Sequence, residues 1–359
     1  MERDSDYNGL LNKTIQAFLK ETLWVMYRNP SMVKTVLQAI RFQKKAARKR
    51  EEYQKQGLQV PPYMIISITN QCNLRCQGCY ARAQHRPVER EMGHDQLRSV
   101  IAEAKDLGIS FVFLAGGEPL IRPDILDITN ALPEVIFPLF TNGLLITDET
   151  IARLREQKNV IPIISLEGYE TETDGRRGSG VYSHLRGTFE KLRISGIFFG
   201  LSFTVSRTNF DTVTNEIFIH QLMASGCRLF FFVEYVPVKE GTADRVIMDE
   251  QRSALAGILD SFRLRFPALF ISFPADEEAF GGCLSAGRGF IHISAEGDLE
   301  PCPFAPYSDS NLKDLSLKEA LQSELLSRIR QNHAELTETS GGCALWEKRD
   351  WVESFLKTI

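Results

Sequence analysis

The apolar positions of the first sixty residues follow a helical period. Leu11, Ile15, Phe18, Leu19, Leu23 and Met26 recur at spacings of three and four, which predicts one helix across 10–28. Asn29-Pro30 breaks it, and Ser31 can cap a second helix with the stripe Val33, Val36, Leu37 and Ile40. Gly57 and Pro61-Pro62 end this segment. From Tyr63 onward the pattern changes. Short β-rich runs lie at 64–69, 111–115, 136–141, 160–166, 197–205 and 229–236. Most are continuously apolar, as parallel strands covered on both faces are. Helix-like stretches separate them, near 94–106, 122–131, 148–157, 182–194, 212–224 and 248–265. Six strand–helix units in succession predict a parallel α/β fold, either a partial barrel or a doubly wound sheet. The rhythm is expected to stop near 268. A hairpin is predicted from Phe290 with its turn at Glu296-Gly297-Asp298, then a helix near 316–331 and a Gly-rich tail.

Composition narrows the class. Of 359 residues, 43% are hydrophobic and 25% charged, a globular balance that excludes disordered, collagenous and coiled-coil chains. No apolar run approaches ~18 residues, so no membrane span is expected. The polar start MERDSDYNGL lacks a signal-peptide core, so a cytoplasmic location is expected, with a peripheral membrane contact left open. The net charge of -4 averages two unlike parts. Residues 1–60 hold 12 Lys and Arg against 6 Asp and Glu, and the remainder holds 30 against 40. The basic excess is concentrated between Arg41 and Arg50.

Seven cysteines are too few for a disulfide framework in a chain of this length, and in a reducing compartment they serve as ligands, nucleophiles or core thiols. Cys72, Cys76 and Cys79 follow the first predicted strand with the spacing C-x3-C-x2-C. A structural zinc needs a fourth ligand, which His85 could supply. Three thiolates on a four-iron cluster instead leave one iron open to a cofactor or substrate. The loop also leaves the C-terminal end of its strand, where parallel α/β folds gather their active sites.

This spacing resembles the signature of the radical SAM superfamily. The resemblance implies a catalytic 4Fe–4S cluster on Cys72, Cys76 and Cys79, with S-adenosylmethionine on the fourth iron. Many members carry an aromatic residue just before the third cysteine. Here Gly78 stands there, and Tyr80, which follows the cysteine, is counted among the cofactor-binding residues. Further elements follow successive strands. Gly116, Gly117, Glu118 and Pro119 look like the turn that meets the methionine amino group. Asn142, in Thr141-Asn-Gly143, lies where relatives approach the cofactor. Ser165 and Glu167, in Ser165-Leu-Glu-Gly168, are similar to a Ser-Leu-Asp-Gly element that contacts the ribose. Arg177, rather than Arg176, is assigned to the methionine carboxylate.

Cys283, Gly297 and Cys302 match the opening of the family's SPASM and twitch extensions, and Cys343 looks like their late cysteine. No cysteine lies between 302 and 343, so the extension resembles a twitch domain with one auxiliary cluster on Cys283, Cys302 and Cys343. A zinc site is the rival reading for these three. His292 is expected to be packed rather than a ligand, and Cys227 to be a core thiol. The fold expected is therefore a partial (β/α)6 radical SAM barrel at 61–266, preceded by a helical, partly basic module at 1–60 and followed by a small α+β iron–sulfur extension at 267–359.

The resemblance implies an enzyme that cleaves S-adenosylmethionine to a 5′-deoxyadenosyl radical and takes a hydrogen atom from a peptide or small molecule. An oxidation or a C–S or C–C bond formation fits, with an external one-electron reductant of the flavodoxin or ferredoxin class. The alternatives are a non-catalytic iron–sulfur or zinc protein and a membrane-associated lipid-modifying member of the superfamily. For residues 10–50 three readings stand: a structural cap, a protein-recruiting surface, or a membrane contact. Nucleic-acid binding is not expected, because one basic stretch is no groove-lining patch.

Overall fold

A computed structural model of the chain describes residues 7–25, 30–336 and 343–358. Met26, Asn29, the side chain of Ser31 and part of the Gly-rich tail, residues 337–342, lie outside the described residues. Two helices, α1 (Tyr7–Val25) and α2 (Pro30–Lys55), precede the sheet. All six expected strands form: β1 (Tyr63–Thr69), β2 (Phe111–Gly116), β3 (Phe137–Thr141), β4 (Val160–Leu166), β5 (Gly200–Val205) and β6 (Leu229–Glu234). A seventh, β7 (Leu269–Phe273), continues the parallel sheet beside β6, where the rhythm was expected to have stopped. The hairpin β8 (Phe290–Ile293) and β9 (Leu299–Glu300) forms as expected, but β8 pairs in parallel with β1. The order is β7-β6-β5-β4-β3-β2-β1-β8-β9, one nine-stranded sheet. The C-terminal extension is thus hydrogen-bonded onto the barrel's first strand.

Alternate side chains divide between two apolar layers, as the two-residue period of a strand dictates. Met64, Ile66, Leu114, Leu139, Leu201 and Phe230 pack with the outer helices. Ile163, Phe231 and Leu269 form the inner layer with Phe113, Phe140 and Phe273. Ring contacts link Phe113 to Phe140, Phe140 to Phe231 and Phe231 to Phe273 across the interior. The outer helices follow their apolar spacing. His94–Leu107 buries Leu97, Val100, Ile101, Ala104 and Leu107 and ends at Gly108, whose φ of 100° is the left-handed cap conformation. Two expected helices are broken. Asn215 caps Glu216–Ala224 by accepting from the amides of Ile217 and Phe218, which separates it from Phe210–Val213. Ser323 caps Glu324–Gln331 in the same way, apart from Leu317–Ala320.

The N-terminal helices are built into the barrel. Ile15 and Leu19 of α1 pack with Phe111 and Tyr63, at the starts of β2 and β1. Phe18 and Val25 join the inner layer, and α1 also touches β7. Part of the basic segment of α2 is an anchor. Arg50 is buried and donates to the Gly108 carbonyl and to Asn12 Oδ1. Burial pulls its guanidinium down to about 10, so it remains charged at neutral pH. Lys49 Nζ donates to the Asp106 carbonyl at 3.1 Å. Arg50→Ala is expected to lower unfolding stability by about 1–3 kcal/mol, because it strips a charged donor from buried acceptors. Arg48→Ala, at an exposed position of the same helix, is expected to stay within about 0.5 kcal/mol. Denaturant midpoints of the two variants, compared at equal slope, check this contrast.

Candidate functional site

The loop after β1 carries Cys72, Cys76 and Cys79 half-buried at the C-terminal end of the barrel. It has little regular structure and is held by its neighbours. Glu91 accepts from the Asn70 amide and from Thr69 Oγ1, at 2.6 and 3.1 Å. On the other side the turn after β2 zips to it backbone to backbone. The Gly117 amide donates to the Thr69 carbonyl at 2.7 Å, and the Glu118 amide to the Gln71 carbonyl at 2.8 Å. A Cβ at Gly117 would stand 2.0 Å from the Gln71 carbonyl oxygen, so only glycine allows the approach.

Glu118 is fully buried, and its carboxylate is held by three donors of the protein itself. Thr141 Oγ1 and the Asn142 amide donate to it at 2.7 Å each, and the Leu120 amide at 3.1 Å. Burial pushes this carboxyl above its ordinary range, against those three donors and Arg177. The residue ties the loops after β2 and β3 together, and Pro119 opens the short turn it caps. Asn142 donates to Asn73 Oδ1 at 2.6 Å and lies 4.0 Å from Cys72 Sγ. It thus borders the first cysteine of the trio.

Ser165 lies half-buried on β4 opposite Ser202 of β5. Glu167, just beyond β4, is buried, and its Oε1 receives both Arg176 and Arg177. Its Oε2 is buried without a partner. Arg176 also reaches Thr204 Oγ1 and the Gln77 carbonyl, inside the cysteine loop. Burial raises the Cys76 thiol, while Arg177 first and Arg176 second pull it back. The Arg177 charge thus favours the ionised forms of both Cys76 and Glu118.

Sequence reasoning missed several residues here. Tyr235, just past β6, fills the space that the absent side chain of Gly78 leaves. A Cβ at Gly78 would meet the Tyr235 hydroxyl at 2.3 Å. Arg245 Nη2 holds Gln77 Oε1 at 2.7 Å. Arg86 is shared by Glu296 and Glu300 of the hairpin. No local pattern signals these partners, because each comes from a distant part of the chain.

Tyr80 turns towards the extension. Its ring meets Phe304 edge-on at 4.9 Å. Burial first, then Cys79 and Cys302, push its phenol upward. Tyr80 follows Cys79 and Phe304 lies two residues past Cys302, so this ring contact joins the two cysteine-bearing segments. Cys283, Cys302 and Cys343 are all buried. Cys302 is raised first by its hydrogen bond to Cys343 and then by burial, and Cys283 by burial and by Glu277 and Cys343. Dry thiols of this kind become thiolates only against the charge of a metal. Among the described residues no group of three or more His, Cys, Asp and Glu side chains is arranged to hold a single metal ion. His85 is thus not gathered into a Cys3His group. His292 is a packed histidine, as expected: Ser67 Oγ lies 2.9 Å from its Nε2 and Glu300 Oε2 2.7 Å from its Nδ1. Cys227 is a core thiol that donates to the Leu229 carbonyl, and burial pushes it up to about 12.

The donor chemistry fits an iron–sulfur centre and a bound cofactor beside it: three thiols on one loop, a glycine cradle with no room for a side chain, and an orphaned carboxylate oxygen. Comparison with known proteins agrees. Residues 66–216 match the radical SAM superfamily. The chain is 26% identical over 311 residues to the AdoMet-dependent heme synthase of Methanosarcina barkeri, spanning 79% of this chain and 88% of that protein. It is 26% identical over 317 residues to the mycofactocin maturase MftC of Mycolicibacterium smegmatis, spanning 80% and 76%. The fold is similar to that of Streptococcus suis SuiB bound to S-adenosylmethionine, with a TM-score of 0.64 and 19% identity over 84% of this chain and 76% of that one. This chain therefore carries a radical SAM domain at residues 66–216 and is an enzyme.

Proposed function

We propose that Cys72, Cys76 and Cys79 hold the superfamily's 4Fe–4S cluster, that S-adenosylmethionine occupies the space between Gly116–Gly117, Asn142, Glu167 and Arg177, and that Cys283, Cys302 and Cys343 hold a second cluster. Bound there, these groups supply a 5′-deoxyadenosyl radical for hydrogen-atom abstraction and a second iron–sulfur centre beside the substrate. The substrate is a peptide or a small molecule, oxidised or joined through a new C–S or C–C bond. Relatives named as heme synthases and as a mycofactocin maturase, and the SuiB complex with its precursor peptide SuiA, support that range. An external one-electron donor of the flavodoxin or ferredoxin class supplies the reducing electron.

One observation carries the reading. The cysteine loop, the glycine turn and the Glu167–Arg176–Arg177 group converge from β1, β2 and β4, with one buried carboxylate oxygen left without a donor. In this reading Gly116 and Gly117 give a ligand access to backbone. Glu118 and Asn142 fix the loops around it. Glu167 accepts a ribose hydroxyl through Oε2 while the two arginines hold its other oxygen. Arg177 offers its remaining N–H groups to the methionine carboxylate. The buried Tyr235 and the half-buried Tyr80 pack beside the cysteine loop.

Anaerobic reconstitution is expected to load about eight irons per chain. Cys76→Ala is expected to lose about four of them and all formation of 5′-deoxyadenosine, whereas Cys302→Ala loses about four and still cleaves S-adenosylmethionine. Iron content and product chromatography read both. Loss of every iron in either variant would sink the two-cluster assignment. Glu167→Gln is expected to keep its iron but to bind S-adenosylmethionine about tenfold or more weakly, because an amide nitrogen then opposes the two guanidinium groups. Equilibrium dialysis with the labelled cofactor measures it, and unchanged affinity removes Glu167 from the cofactor site.

A further inference from the structure

The reaction chemistry leaves the basic part of the N-terminal helices unused. Of that segment, Gln43, Lys49 and Arg50 are tied to the end of the helix His94–Leu107 and the turn after it. The other cations point outward. Lys13 and Lys20 on α1, and Lys34, Arg41, Lys44, Lys45 and Arg48 on α2, are all exposed. None of these seven is paired with a described acid. Glu21 is the only acid between Tyr7 and Arg50. On α2 the cations recur at spacings of three, four and seven, so they share one face. Leu37 lies within that stripe and is 48% exposed. On α1 the spacing of three and four joins Leu10, Lys13, Ala17, Lys20 and Trp24 into a second exposed face. Trp24 there is 64% exposed.

We propose that this exposed face of α1 and α2 docks the enzyme on an anionic lipid membrane. A stripe of unpaired Lys and Arg needs a surface of opposite charge within about a Debye length. The residues from 61 onward carry 30 Lys and Arg against 40 Asp and Glu, so the attraction belongs to this module and orients it. Trp24 and Leu37 choose among anionic partners. An indole so exposed on the last turn of a helix gains most at a lipid–water interface, where its ring is apolar and its N–H wet. Lys and Arg stems lie down on the same interface with their heads in water. A nucleic acid offers no apolar layer for these side chains, and a long polyanion would run on over the acidic body. No helix among the described residues is long and apolar enough to cross a membrane. The contact is therefore peripheral and reversible by salt.

Sedimentation of the full chain with vesicles tests this. Vesicles of phosphatidylcholine with about one-third phosphatidylglycerol are expected to carry the protein down at low salt, and neutral phosphatidylcholine vesicles are not. Raising the salt, or the double change Lys44→Glu and Lys45→Glu, is expected to weaken binding at least about tenfold. Iron content and S-adenosylmethionine cleavage in solution stay unchanged, which separates a lost surface from a lost fold or a wrong reaction. Tryptophan emission is expected to shift to the blue with anionic vesicles in the parent chain and not in Trp24→Phe, which retains Trp346 and Trp351. Equal binding to neutral and anionic vesicles, no binding to either, tighter binding to a homopolymeric RNA, or indifference to the charge reversal each overturns the proposal.

Discussion

The site rests on a contact that allows no side chain. The loop bearing Cys72, Cys76 and Cys79 is too irregular to hold its own shape, and the Gly117 and Glu118 amides pin it to the turn after β2 through the Thr69 and Gln71 carbonyls. That approach exists because Gly116 has a φ of 110°, open mainly to glycine, and Gly117 has no Cβ. Glu118 extends the tie to β3 by accepting from Thr141 and Asn142. A buried carboxylate with three donors is rigid, because releasing any one of them leaves a desolvated charge short of a partner. Three successive loops thus become one surface, and the positions of Asn142 and Arg177 relative to the cysteines follow from it.

The second trio is brought near by the same logic of paired burial. β8 adds to β1, which turns the extension into a continuation of the barrel's sheet. Charged groups at that junction are satisfied in sets: Arg86 with Glu296 and Glu300, Glu300 in turn with His292, and His292 with Ser67. Glu103 caps the helix Leu317–Ala320 by accepting from the amides of Leu317 and Lys318. The extension is therefore fixed in register against the first cysteine loop. Tyr80, beside Cys79, and Phe304, two residues past Cys302, meet edge-on across that junction.

The parts legible in the sequence are those set by local period and spacing. Six parallel strands declare themselves because burial on both faces makes them continuously apolar, and the cysteine trio because one loop must supply all three thiols. β7 escaped because a five-residue run between Pro267 and Pro274 resembles a turn-rich exit from the barrel. The two broken helices hid behind intact apolar stripes, although Asn215 and Ser323 are strong caps that the chain states openly. The roles of carboxylates were the least legible. That Glu118 ties neighbouring loops together depends on the amides of Leu120 and Asn142, and no spacing rule reports that geometry. Gly78 shows the same limit. Its departure from the family pattern reads locally as a loss, but Tyr235, brought in from the end of β6, fills the volume.

The charge asymmetry of the chain now has a physical division. Arg50 could be buried only because the Gly108 carbonyl, at a helix C-terminus, and Asn12 offer acceptors to its guanidinium. Lys34, Arg41, Lys44, Lys45 and Arg48 on the same helix are paired with no described acid, and a folding requirement alone does not explain a run of cations that repel one another on one exposed face. Solubility does not require it either, since the remainder of the chain already carries an excess of ten acids. An exposed indole on the adjoining helix adds a second feature that water disfavours. Two features that each work against an isolated, solvated module become favourable together when the opposing surface is both anionic and apolar beneath its charges.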